Sequence, residues 1–229
     1  MELLQLRERK IFETLKAIRN LKFAVIGGYA ANAYALPRFS VDCDIVIEDN
    51  ASLDKIERAL KKIGYEKIGA DKINAIYGGN FARYEKRLEH NFKVSMDVLV
   101  ENVLDRQTNA NFSAAWVFEH SSLQVLKGKT ITESIKLHII NPDSLVVMKM
   151  ASCRSTDIRD VFMLIPSVKD KAWIKEEVAK RCNFNERLRK IKEKITSSEF
   201  KDNLQGVYGF VDNAVFEKHK KMLLAMENK

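Results

Sequence analysis

Residues 23–47 read FAVIGGYAANAYALPRFSVDCDIVI, and three physical features coincide in them. Phe23 to Ile26 form a short apolar, partly β-branched run stopped by Gly27 and Gly28, which predicts a buried strand. Tyr29 to Leu36 predict a small-residue helix that Pro37 ends. At the strand-to-helix turn, the backbone amides of Gly27 and Gly28 carry no side chain and can approach a phosphate closely. Asp42 and Asp44 stand two apart on a second predicted strand, so both project from one face. Arg38 and Ser40 precede them and can donate hydrogen bonds to phosphate oxygens or to the carboxylates. Each feature also has a plain reading: a simple turn for the glycines, and a capping or Arg38-paired role for the two aspartates.

The run KVSMDVLV (93–100) predicts another strand, and Asp97 interrupts it. A buried strand rarely holds an unpaired charge, so Asp97 reads as the third member of a carboxylate set on neighbouring strands. Three crowded carboxylates repel one another unless a cation neutralises them. Beside a phosphate loop they suit Mg²⁺ or Mn²⁺, hard cations that prefer oxygen ligands. In a two-metal arrangement one ion activates the attacking hydroxyl and the other holds the triphosphate of an NTP. Asp97 then serves the ion nearer the attacking group and helps accept its proton.

Around this segment the order of elements predicts an α/β (α+β) fold, a small mixed sheet flanked by helices, followed by a helical C-terminal domain. Leu4, Ile11, Leu15 and Ile18 give an amphipathic first helix. SLDKIERALKKIGY (52–65) predicts another, with Ser52 as its N-cap. A loop through Gly78 and Gly79 leads to the Asp97 strand, and residues 122–140 read as a hairpin turning at Lys127-Gly128. From Pro142 onward only helical periodicity is found, with Asp143 as the expected first cap. The division is therefore 1–140 for the α/β domain and 141–229 for the helical one.

The chain has 229 residues, 46% hydrophobic and 31% charged, the composition of an ordinary globular protein. No apolar run approaches the roughly 18 residues needed to span a bilayer. The charged first turns lack a secretory apolar core, so a cytoplasmic protein is expected. Cys43, Cys153 and Cys182, like His90, His120, His138 and His219, are scattered without zinc-ligand spacing. A net charge of +8 favours anionic partners.

The run Gly27-Gly28-Tyr-Ala, then Arg38-Phe-Ser40-Val-Asp42-Cys-Asp44, and later Met96-Asp97-Val, resembles the DNA polymerase β-like nucleotidyltransferase superfamily. Within it the chain is similar to the AbiEii-type proteins, the toxin halves of some toxin–antitoxin pairs. NPDSLVVMKMASCRSTDIRD (141–160) resembles that family's later motif. The resemblance implies that Lys149 contacts the NTP phosphates and that Asp157 is needed for activity. Asp157 and Asp160 share a helical face and can orient Lys149 or Arg154, or all four form a salt-bridge cluster that fixes packing. Lys149 in the apolar run VVMKMA favours function, because burying a lysine is costly. Ser40 stands where the family commonly has Thr, and Thr156 where it often has Lys.

The implied function is transfer of a nucleoside monophosphate to an RNA 3′ end, with tRNA as the acceptor, by a toxin that has a cognate antitoxin. Arg83, Lys86, Arg87 and Lys93 could line the acceptor path or lie on a solvated loop. The alternatives are nucleotidylation of a small molecule or protein, and a catalytically silent binding module of the same fold.

Overall fold

The computed structural model describes residues 2–69, 80–88 and 92–227; Gly78, Gly79 and His90 lie outside them. Strand β1 (Ala24–Ile26) pairs antiparallel with β2 (Asp42–Ile47) and parallel with β9 (Ser134–Ile140). β2 pairs parallel with β5 (Lys93–Val100), which pairs antiparallel with β4 (Phe81–Arg87). β3 (Glu66–Ile68) and β8 (Ser121–Lys127) complete the edges of a seven-stranded mixed sheet ordered β3-β4-β5-β2-β1-β9-β8. A separate ribbon joins β6 (Asn102–Leu104) to β7 (Asn111–Ser113).

The strands alternate strictly, and this gives the sheet two unlike faces. On one face Cys43, Ile45, Ile47, Tyr84, Met96, Val98 and Val100 are fully buried. Helices α1 (Glu2–Ile18) and α3 (Asn50–Lys62) lie against that side, with Ile11, Leu15, Ile56 and Leu60 inside the core. The other face carries the acidic residues.

Several local expectations need correction. The helix after β1 is α2 (Gly27–Ala31), a short segment that includes both glycines rather than following them. Asp49, not Ser52, caps α3, its carboxylate accepting from the Ser52 amide at 2.7 Å. Residues 81–87 form a strand, not a loop, and a short helix, α4 (Ala114–Glu119), precedes the hairpin. The β8–β9 hairpin turns through residues 128–133, longer than a simple Lys127-Gly128 turn.

Among the described residues no strand follows Ile140. Helix α5 (Pro142–Ser152) is capped by Asn141, which accepts from the Ser144 amide, with Pro142 at the first helical position. Asp143 does not cap it but accepts from the Lys169 and Asp170 amides instead. α5 is buried from Ser144 to Ala151 and packs against α6 (Ser155–Leu164) and α7 (Lys171–Ala179). Helices α8 (Phe184–Thr196), α9 (Phe200–Tyr208) and α10 (Asn213–Leu224) follow. Among the described residues no helix is long and apolar enough to cross a membrane.

Glu8 of α1 is buried and accepts from the Lys129 amide (2.6 Å), the Thr130 amide (2.9 Å) and the Thr130 hydroxyl (2.7 Å). It clasps the first helix to the β8–β9 turn. Replacing it with alanine strands those donors, and a loss of about 1–3 kcal/mol is expected in urea denaturation.

Candidate active site

Four residues form one row across the sheet: Ile26, Asp44, Asp97 and Arg83, each directly opposite the next. The parallel β2–β5 register thus sets two carboxylates side by side on one face. Asp42 belongs to the adjacent row, opposite Ser95. On the far side of the Asp44–Asp97 row the same face turns apolar, with Ala24, Val46, Leu99 and Phe81. Two residues along a strand span about 6.8 Å, so charge gives way to hydrocarbon within one step.

Arg83 grips Asp97 by both oxygens: Nε to Oδ1 at 2.8 Å and Nη2 to Oδ2 at 2.6 Å. The same Nη2 reaches Asp42 Oδ2 at 3.4 Å. Burial raises the Asp97 carboxyl above the usual range, against the pull of Arg83. Asp44 differs. Among the described residues no side-chain hydrogen bond or ion pair engages its carboxylate, and the charges of Lys149 and Arg154 only partly offset its neighbours. Burial, followed by the charges of Asp42 and Asp97, holds its carboxyl well above the ordinary range. Among the described residues no three Asp, Glu, His or Cys side chains stand close enough, as arranged, to hold a metal ion. Arg83 occupies the place between Asp97 and Asp42.

The glycines leave room for these groups. Gly27 has φ +66°, and a Cβ there would collide with the Asp44 carboxylate. A Cβ on Gly28 would strike the Ser40 hydroxyl and press on the Arg38 guanidinium. The Gly-Gly pair is therefore required first by close packing of the site's own side chains.

A stripe of α5 at helical spacing (Leu145, Met148, Lys149 and Ser152) forms the opposing wall. Lys149 is buried, its Nζ 2.7 Å from Asp160 Oδ2 and 3.4 Å from Asp157 Oδ1. Arg154 Nε donates to Asp157 Oδ2 at 2.7 Å. Arg38 does not pair with Asp42 or Asp44. It binds Asp160, 122 residues away, through two contacts of 2.7 Å, and the Tyr208 hydroxyl donates to the same carboxylate at 2.7 Å. Burial would raise the Asp160 carboxyl, but Lys149 and Arg38 outweigh it and hold it well below the usual range.

Together these walls enclose a cavity of about 850 Å³ lined by Gly27, Gly28, Arg38, Ser40, Asp42, Asp44, Asp97, Lys149 and Asp157. These nine expected site residues meet there together with Arg154, whereas Asp160 does not line the cavity. Of the four basic residues considered for an acceptor path, only Arg83 lines it. Lys86 donates to the Ile63 carbonyl and Lys93 to Glu85. Arg159 and the hydrogen-bonded pair Ser152–Asp105 (2.8 Å) line the cavity unforeseen. Apolar side chains also line it, Phe81, Leu99, Val103, Phe112, Leu145 and Met148, together with Asp105, Arg106 and Gln107. The alternation in FARYEKR, with Ala82 and Tyr84 buried, is the sequence pattern that could have revealed the Arg83 strand.

The fold matches known architecture. MenT4, a nucleotidyltransferase toxin from Mycobacterium tuberculosis H37Rv, superposes with a TM-score of 0.58 over 99% of this chain and 85% of its own, at 12% identity. The H. pylori protein assigned as a nucleotidyltransferase superposes with a TM-score of 0.50 over 99% of this chain and 92% of its own, at 14% identity. The chain has the nucleotidyltransferase fold. No family model matches its sequence, and no curated protein matches it.

Asp160 is fully buried between two cations, and Asp160→Asn leaves both without their shared partner. A loss of about 3–5 kcal/mol is expected in urea denaturation at pH 7. Its carboxyl is depressed in the folded state, so its contribution is complete above about pH 5. That contribution drains as the pH falls through the unfolded value, roughly 3.9, toward the lower folded one. The gap between the native protein and the variant should accordingly narrow from pH 7 to pH 3.

Proposed function

We propose that the protein transfers a nucleoside monophosphate from an NTP to an acceptor hydroxyl and releases pyrophosphate. The observation that carries this reading is the meeting of Asp42, Asp44 and Asp97 with Lys149 in one cavity that apolar side chains also line. A triphosphate suits the cationic wall, and a nucleobase suits the apolar surface that Leu99, Val103 and Met148 offer. The backbone of Gly27 and Gly28, with the Ser40 hydroxyl beside it, faces the phosphates.

The donor set fits a hard divalent cation: the ligands are all carboxylates, and no cationic side chain pairs directly with Asp44. Asp42, Asp44 and Asp97 would hold Mg²⁺ or Mn²⁺. When bound, such an ion activates the attacking hydroxyl and screens the phosphoryl oxygens. Lys149, held by Asp157 and Asp160, presents a fixed positive charge to the triphosphate. The acceptor oxygen attacks the α-phosphorus in line and forms the new P–O bond. The bond to the β-phosphate bridging oxygen breaks, pyrophosphate leaves, and Asp97 takes the hydroxyl proton.

The acceptor in this reading is an RNA 3′ end, tRNA above all, consistent with the net charge of +8 and with Arg154 and Arg159 at the cavity. The protein acts in the cytoplasm as a toxin with a cognate antitoxin, a role suggested by the resemblance and by the toxin MenT4. Residues 1–140 then form the carboxylate domain and residues 141–229 the lysine domain.

The test is incubation with each labelled NTP, magnesium and total RNA. Label should appear on RNA, and Asp44→Ala should abolish transfer with an unchanged circular dichroism spectrum. Label on protein or a small molecule would redirect the acceptor, and no label in any fraction would refute the transferase reading.

A further inference from the structure

The Arg83 side chain hydrogen-bonds the carboxylates of Asp97 and Asp42 and, among the described residues, no other group. Its side chain is 34% exposed on the cavity wall, so it is not locked in the core. It cancels one of three formal negative charges and draws Asp97 and Asp42 to itself. Asp44, in the same row, has no direct ion pair and feels the charges of Lys149 and Arg154 without touching them. The trio therefore has the right chemistry for a divalent ion, while the side chains as arranged do not converge on one. Arg83 takes a lone pair on each Asp97 oxygen and cancels charge that a hard cation would use, so the two compete for that carboxylate.

We infer that Arg83 is an exchangeable counter-ion that competes with a divalent cation for Asp97 and Asp42, setting the ion's affinity and coupling its uptake to nucleotide. The coupling has a physical source. A planar guanidinium pairs with phosphate oxygens as readily as with carboxylate. A triphosphate in the cavity gives Arg83 a second anionic partner and frees the aspartates. Without nucleotide, release of Arg83 strands a charge and the ion binds weakly. This inference rests on the transferase reading, which supplies the nucleotide.

The test is Mn²⁺ binding to the full chain, followed by electron paramagnetic resonance of the free ion, with and without a non-hydrolysable NTP. Without nucleotide, Arg83→Ala should bind Mn²⁺ about tenfold more tightly than the native protein, and Arg83→Lys should fall between them. With nucleotide the difference should shrink. A purely structural Arg83 predicts a lower melting temperature in Arg83→Ala with unchanged or weaker Mn²⁺ binding, and that result overturns the exchange. Equal, measurable affinities refute it while leaving the labelled-NTP result standing; no Mn²⁺ binding by either protein, together with no label transfer, refutes both.

Discussion

Like charges on neighbouring strands repel, and the parallel pairing of β2 with β5 sets Asp44 directly beside Asp97. A register slip of one residue would turn one of them into the apolar core and bring a core side chain into the cavity. The opposite face, packed with Ile45, Val98 and Tyr84 under α1 and α3, makes such a slip prohibitive. The hydrophobic packing on one side of the sheet thus enforces an electrostatically unfavourable grouping on the other. Positive φ at Gly27 belongs to the same compromise, because only glycine leaves room for the Asp44 carboxylate.

A second electrostatic centre joins the sheet to the helices. Asp160 is shared by Arg38, from the loop leading into β2, and by Lys149 of α5, with Tyr208 of α9 as a third donor. Low dielectric makes each contact strong and each omission costly. The cluster fixes Lys149 opposite the carboxylates, so the cationic wall is rigid where the acidic wall is held by a movable arginine.

Much of this was legible in the sequence, for reasons specific to the residues. Asp97 interrupts an apolar run, and Asp42 and Asp44 share a strand face beside the Gly27-Gly28 turn, so burial pointed to the first and spacing to the other two. Lys149 stood out in the same way. The partners were not legible. Arg38 and Asp160 are 122 residues apart, and local spacing suggested Asp42 or Asp44 as the nearer mate. The Arg83–Asp97 pair depends on the β4–β5 register, and β4 itself was missed because FARYEKR is charged on the face it turns to the site. β3, β6 and β7 span three residues each, too few for alternation to register. The cap assignments moved because Asp49 and Asn141 stand one residue before their helices.

The sheet's centre is assembled from distant parts of the chain. β1 lies between β2 and β9, and its parallel partner β9 pairs Val25 with Ile139. Glu8 likewise finds its amides only at Lys129 and Thr130. During synthesis on the ribosome, the first helix and the first strand must wait for more than half of the polypeptide to emerge before these partners exist. Non-local pairing of this kind slows folding. In the interval β1 presents an unpaired apolar edge, the kind of surface that nascent-chain chaperones shield.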